Sequence, residues 1–286
     1  MLQWQIGDIK ITQLVEMSFA NNDMYALAGL PPLATPENLA SMPWLYPHFV
    51  TPEGVMINNV QMLIIETPGQ KLVVDTCIGN DKSIPLDELA YMQLPFMDDL
   101  KALGHHPDSV DTVLLTHLHV DHIGWNTTKR NGSWVPTFPN ARYLVVEEEF
   151  EFFRELDDDT YGDVWGESVR PVLDAGLMDV VQADHQADEG VWFESTPGHT
   201  PGHVSVRISS RGEDAVITGD MIHHPYAIGR PHWDNPYDAD SDLARETRIQ
   251  FLERYADKPV LVLGTHFANP VGGKIVRDGD TYRFDV

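Results

Sequence analysis

The sequence predicts a layered α/β fold: two mixed β-sheets packed face to face, with helices on their outer faces. Three observations carry that prediction. Strand-like runs gather in pairs and hairpins with single helices inserted between them. The pattern repeats loosely in each half of the chain without an identical sequence period. No G-x-G-x-x-G or G-x-x-x-x-G-K-[ST] follows a strand, which argues against a doubly wound nucleotide-binding fold.

In chain order, residues 9–15 (IKITQLV), 60–65 (VQMLII), 71–75 (KLVVD), 111–116 (DTVLLT) and 142–146 (RYLVV) alternate or run apolar, as strands do. The second half adds strand-like runs near 178–182, 190–195, 203–209, 214–218, 259–263, 272–276 and 281–285. Helical periodicity fits 86–103, 146–157, 164–174 and 240–256, the last opening on Asp240-Ser241-Asp242, which is N-cap chemistry. Residues 17–55 are rich in Pro, Met, aromatics and small residues and hold no period. Long irregular segments often serve as lids or binding loops, so this arm is expected to cover a site or to join two subunits of a homodimer. No linker divides the chain, and 1–286 reads as one domain.

Hydrophobic residues at 42% and charged residues at 22% describe an ordinary globular protein. A net charge of −25 disfavours nucleic acid and anionic membrane surfaces as partners. No run approaches the roughly 18 apolar residues of a membrane span. The start MLQWQIGDIKITQLVEM lacks a basic, apolar leader, so a cytoplasmic location is expected. The single cysteine, Cys77, excludes an internal disulfide framework.

The chemistry is concentrated in TVLLTHLHVDHIGW, where His117, His119, Asp121 and His122 fall within six residues after an apolar strand. Composition alone expects about 0.004 matches to H-x-H-x-acid-H in such a chain, so chance is a poor explanation. Imidazole and carboxylate are the ligands of open, catalytic sites for zinc and similar cations. His117 and His119 share a face in extended chain, whereas the adjacent Asp121 and His122 require a turn and point to a second metal position. Three further ligand types stand at strand ends: His199 in STPGHTPGH, Asp220 in VITGD and His266 in LGTHF. Their placement lets a fixed scaffold aim them into one cleft.

Taken in order, THLHVDHIGW, PGHTPGH, TGD and GTHF resemble the metal motifs of the metallo-β-lactamase superfamily, over about residues 56–270. The resemblance implies a four-layer αβ/βα sandwich with two divalent metals at one edge of the paired sheets. It also implies a partition: His117, His119 and His199 on one metal, Asp121, His122 and His266 on the other, and Asp220 bridging both. Zinc is the first expectation, with Mn, Fe, Co or Ni accepted by the same N/O set. VVDTCIG matches the first family motif, in which Asp75 supports the metal loop and Cys77 stands where Gly is usual, as a structural residue.

Within the superfamily, the bridging Asp220 disfavours a true β-lactamase. Glyoxalase II carries a C-terminal helical domain after the metal-binding part, and with twenty residues after His266 here a thioesterase of that type is expected only as a lesser alternative. The nearest resemblance is to the N-acyl-homoserine lactonases and the methyl parathion hydrolase branch. The expected reaction is attack of a bridging hydroxide on a lactone or carboxylic ester, with phosphotriester or aryl ester hydrolysis as the alternative and a non-catalytic metal-binding protein as the remote one. Three residues after Asp220, where the best-known lactonases carry Tyr, stands His223. Either His223 or Asp121 is expected to protonate the leaving oxygen, with Asp220 completing the catalytic set. His203 is expected to be structural and His105 and His106 solvated, while Trp125, Tyr226, Trp233 and Phe267 either line an apolar pocket for a small hydrophobic substrate or, as such residues more often do, sit in the core.

Overall fold

The computed structural model describes residues 1–20, 31–87, 89–156 and 160–286. Within them, a first seven-stranded sheet takes the order β1 (Gln3–Ile6), β2 (Ile9–Phe19), β3 (Asn58–Glu66), β4 (Lys71–Val74), β5 (Thr112–Leu114), β8 (Arg142–Val146) and β9 (Met178–Val181). Its first four strands pair antiparallel and the run from β4 to β9 is parallel. The second sheet follows chain order: β10 (Gln186–Asp188), β11 (Val191–Ser195), β12 (Val204–Ser210), β13 (Glu213–Ile217), β14 (Val260–Leu263), β15 (Gly272–Asp278) and β16 (Thr281–Asp285). Only its β13–β14 pair is parallel, because helix α7 (Ser241–Tyr255) carries the chain back between those strands.

Three cores separate the layers. Between the sheets, Ile9, Ile11, Leu63 and Ile65 meet Phe193, Val206, Ile217 and Leu263. The outer face of the first sheet packs under α2 (Phe96–Ala102), α4 (Glu147–Glu155) and α5 (Arg170–Asp174), and that of the second under α6 (Tyr226–Gly229) and α7. This is the four-layer αβ/βα arrangement expected. Asp240 caps α7 as its residue type predicts, its side chain accepting the Leu243 N–H at 3.0 Å.

The structure also departs from the sequence reading. The helix expected over 86–103 shrinks to α2, because Pro95 supplies no N–H and the residues before it form turns. The helix expected over 164–174 opens as a π-turn at Trp165–Val169 before α5. Pro171 cannot bond the carbonyl of Glu167, which instead accepts from Thr127 Oγ1 at 2.5 Å and Lys82 Nζ at 3.2 Å. Strands β1 and β10 and a separate hairpin of β6 (Thr127–Arg130) with β7 (Ser133–Pro136) have no counterpart in the sequence reading. His105, expected in solvent, is buried, and burial lowers its pKa, whereas His106 is exposed.

Of the irregular arm, residues 21–30 lie outside the described residues. From α1 (Pro36–Ala40) through Val50, the arm forms a packed layer on the second sheet, with Leu39, Leu45 and Phe49 fully buried. Among the described residues, no helix is long and apolar enough to cross a membrane.

Candidate metal centre

Loops after β4, β5, β13 and β14, together with the β11–β12 turn, meet at one edge of the sandwich. Parallel pairing of β4 with β5 and of β13 with β14 puts four strand ends there. His119 is still extended, and helix α3 (Val120–Ile123) begins directly after it, which supplies the turn that Asp121 and His122 require. The bend fits only because residue 124 is glycine: a Cβ there would lie 1.6 Å from the Ile78 carbonyl oxygen.

All seven sequence-predicted ligands converge. His117, His119 and His199 bring one nitrogen each within 4.8 Å of one another, and Asp121, His122 and His266 form a second such group. Asp220 lies between the two. Its Oδ2 is 3.8 Å from His117 Nε2, 3.8 Å from His199 Nε2 and 3.2 Å from His122 Nε2, and its Oδ1 is 3.2 Å from His266 Nε2. Asp220 Oδ1 is buried and makes no hydrogen bond; its contact with His266 is one of charge without hydrogen-bond direction.

Outer partners fix which nitrogen each ring turns inward. His122 Nδ1 donates to Asp75 Oδ2 at 2.8 Å and His266 Nδ1 to the Asn59 carbonyl at 2.8 Å. His199 Nδ1 donates to Asp238 Oδ1 at 3.2 Å. Thr116 Oγ1 gives its proton to Asp75 Oδ2 and so accepts from His117 Nδ1 at 3.0 Å. The four Nε2 atoms therefore face the centre, as ligating imidazoles do.

The donor set fits divalent cations by a direct test. His119 Nδ1 stands 3.0 Å from His117 Nε2 and 2.9 Å from His199 Nε2, and His122 Nε2 stands 3.1 Å from His266 Nε2. With their protons held by outer partners, His117 and His199 point lone pairs at His119, whose single Nδ1 proton can serve only one of them. A shared cation resolves such a convergence.

Electrostatics divides the site. Burial holds His119 down to about 4, and His117 and His199 well below the ordinary imidazole value, so this half presents neutral ligands. Burial also opposes charge on His122 and His266, but Asp220 and Asp121 outweigh it and raise both, His122 strongly. The same carboxylates would draw in a metal cation. Burial penalises the Asp220 charge, yet His122, His266 and His223 hold its carboxyl well below the usual range.

Residues without a motif brace this edge. Glu149, buried in the first turn of α4, accepts the Leu118 N–H at 2.9 Å and the Gly202 N–H at 3.2 Å, tying the His117–His122 loop to the His199 loop. Burial pushes its carboxyl up to about 7. Glu16 on β2 does the same for the Cys77 loop: it accepts from Ile78 N, Gly79 N and Trp125 Nε1, and burial raises it to about 7. Buried Arg248 on α7 donates to the carbonyls of Met221, Pro231 and Trp233 and to Asp238 Oδ2. Its one sequence signal is position: Arg248 shares the buried stripe of Ala244, Phe251, Leu252 and Tyr255.

The remaining candidates sort as follows. His203 is structural: its Nδ1 donates to Thr196 O and its Nε2 accepts the Asp220 N–H at 2.8 Å. Cys77 is buried at φ 53°, a conformation glycine favours, and burial raises its thiol well above the ordinary value. Asn235 uses its Oδ1 for the Tyr237 N–H, so its Nδ2 donates to His223 Nδ1 at 2.7 Å. That leaves His223 Nε2–H facing Asp220 Oδ2 at 3.0 Å. A mainly apolar cavity opens over the ligands, walled by Phe19, Val60, Ile78, Ile84, Leu86 and Leu89. Of the four aromatics weighed as pocket wall or core, Tyr226 lines it and the other three pack inside the protein. Trp125 stacks on Phe96, Phe267 is buried in the outer core of the second sheet, and Trp233 packs against Tyr226. The aromatic walls are instead Phe19, Tyr161, Tyr226 and Tyr237.

Residues 57–266 match the Metallo-beta-lactamase superfamily as a family. An N-acyl homoserine lactonase of Bacillus sp is 25% identical over 240 residues, which span 79% of this chain and 88% of that protein. Among solved structures, AidC, a dizinc quorum-quenching lactonase in complex with a product, superposes with a TM-score of 0.79 at 20% identity, covering 99% of this chain and 96% of that one. AbOPH, a hydrolase in the beta lactamase superfamily, does so with a TM-score of 0.76 at 23% identity over the same shares. At these identities the structural likeness speaks for the fold.

Proposed function

Because the chain belongs to the metallo-β-lactamase superfamily, we propose that it hydrolyses lactones and related carboxylic esters with two divalent cations, zinc first among them. The convergence of imidazole nitrogens at 2.9–3.1 Å around Asp220 carries this reading. His117, His119 and His199 would hold one cation, Asp121, His122 and His266 the other, and Asp220 both. Bound there, the pair supplies a water-derived nucleophile at neutral pH and electrophilic pull on the substrate oxygen.

The chain's own groups do the rest. The apolar walls take up the acyl part and exclude bulk water from it. No lysine or arginine is among the described residues lining that cavity, which suits a neutral substrate. His223 has its Nδ1 occupied by Asn235 and so turns Nε2–H to the centre, where it can hydrogen-bond the negative charge developing on the substrate oxygen. Asp121, the most exposed carboxylate of the set, stands at the mouth, where it can take the proton of the attacking water-derived nucleophile and deliver it to the leaving oxygen. Phe19 and Pro31 of the irregular arm line the same cavity, which suits the expected place of the arm at the site.

Relatives named as N-acyl homoserine lactonases make acyl-homoserine lactones the first substrates to try. His223 in place of the lactonase tyrosine favours aryl esters or phosphotriesters as the second reading. Steady-state rates on a panel of all three, with metal content measured in the same preparation, test the proposal. Lactone turnover that disappears on chelation and returns with Zn²⁺ is expected. Turnover unaffected by complete metal removal would refute it, and a phosphotriester rate above every lactone would promote the second reading.

A further inference from the structure

Three amides interrupt the core between the sheets. Along β2, Ile9 and Ile11 face the second sheet, and along β3, Leu63 and Ile65 do so. Strand alternation puts Gln13 on the first of those faces and Asn59 and Gln61 on the second. All three are almost fully buried. Amides gain nothing over aliphatic side chains in such a place unless their polar atoms have work there, since burying them strips away water.

Their partners lie in the loop that carries His266. Gln61 Nε2 donates to the Gly264 carbonyl at 3.0 Å and the Phe267 carbonyl at 3.2 Å, while its Oε1 accepts from Gln13 Nε2 at 2.6 Å and Asn59 Nδ2 at 3.2 Å. Asn59 Nδ2 also donates to the Phe267 carbonyl at 3.1 Å, and Gln13 Nε2 to Asn269 Oδ1 at 2.9 Å. The backbone of Asn59 closes a ring around His266 itself: its N–H donates to the His266 carbonyl at 3.0 Å, and its carbonyl accepts from His266 Nδ1 at 2.8 Å. The loop is thus held before, at and after His266, from a strand of the opposite sheet. Gln13 Oε1 is left without a partner, a sign that the cluster is arranged around the loop rather than for its own saturation.

We infer that Gln61, held between Gln13 and Asn59, is a positioning residue that aims His266 Nε2 at the second cation. The inference rests on the two-cation reading above. Its consequence is selective. Loosening the amide cluster should weaken the cation held by Asp121, His122 and His266, and leave the one held by His117, His119 and His199, whose outer partners are Thr116 and Asp238, unchanged.

Gln61→Met keeps length and approximate volume and removes every hydrogen bond of the side chain. Chelator-treated protein titrated with Zn²⁺ by calorimetry, and with Co²⁺ by visible absorption, resolves the two binding steps without using activity. Wild type should take up two equivalents. The variant should show one step unchanged and the other weakened up to about 10-fold, the lower end of what losing a direct outer partner costs, because Gln61 acts on His266 through its loop. Two unchanged steps, or equal loss in both, would overturn the inference while leaving the two-cation site standing. Wild-type protein that binds fewer than two cations would overturn the two-cation reading and this inference with it. If Gln61→Met does not fold, Gln13→Met at the rim of the cluster decides: the same step should weaken several-fold, and two unchanged steps would overturn the inference.

Discussion

Replacing Glu149 by glutamine should stabilise the metal-free protein at alkaline pH and weaken its grip on cations. Two effects compete. The carboxylate accepts one backbone N–H on each oxygen, from Leu118 and Gly202, and an amide can serve only one of them, leaving a buried donor unmet at a cost of about 1–3 kcal/mol. Against that, burial raises the wild-type carboxyl from 4.5 to about 7. At about 1.4 kcal/mol per unit, holding it ionised above that value costs the fold roughly 3 kcal/mol. The raised value already includes the two N–H bonds, so they do not offset the cost a second time. The fold favours the protonated group, so its contribution is complete below pH 4.5 and is lost as pH rises through about 7. Below that range, protonated Glu149 and the amide that replaces it carry the same mismatch, and the two proteins should be nearly equal in stability. By about pH 8 the variant should lead by up to roughly 3 kcal/mol. Cations reverse the preference, because positive charge nearby favours the carboxylate. Urea unfolding of chelator-treated wild type and variant from about pH 5.5 to 8, with Zn²⁺ titration of each at pH 8, measures both effects. Parallel stability profiles across that range, or a variant less stable at the alkaline end, would refute the reasoning.

Asp220→Asn should reduce metal content below two per chain and lower turnover by more than the roughly 100-fold typical of losing an outer partner, read by elemental analysis and steady-state rates. Asp238→Asn leaves every ligand in place but removes the carboxylate that orients His199 Nδ1, and should weaken cation affinity about 10- to 100-fold in a titration. Arg248→Met strands buried Asp238 and three carbonyls, and should cost about 3–5 kcal/mol in urea unfolding; a loss under about 1 kcal/mol would show the guanidinium to be dispensable. Metal removal should lower the unfolding temperature, by the equivalent of about 4 kcal/mol at a free cation concentration a thousand times Kd.

The central strands are legible because they are buried on both faces and read as apolar runs, as VQMLII and DTVLLT do. The β6–β7 hairpin escapes that reading because its strands are half exposed and polar, although Asn131-Gly132 marks the turn, with φ of 52° and 83° there. Periodicity overstates two helices because it registers apolar spacing and is blind to the missing N–H of Pro95 and Pro171. In the site, ligands repeat a dense spacing of rare residue types and stand out. Their supports do not: Asp238 sits in the acid-rich run DNPYDADSD, and Glu149 in EEEF, where nothing separates a buried carboxylate from a solvated one. The pocket aromatics are hard to pick out for a related reason. Nearness in sequence to a ligand puts Trp125 and Phe267 on the protein side of the ligand loop, while the cavity walls come from distant β2 and from the 161 and 237 loops.

The division of the ligands between sheets bears on how the molecule comes apart. His119 and His199 are 80 residues apart in the chain and His122 and His266 are 144 apart, so each contact spans the seam between the halves. Every strand ladder is complete within its own sheet. Cations lost from the edge would therefore leave both sheets and the core between them intact and loosen first the loops that meet over the site. Hydrogen exchange on chelation would then quicken together in the 115–123, 196–203 and 264–270 loops, with the strands behind them still protected.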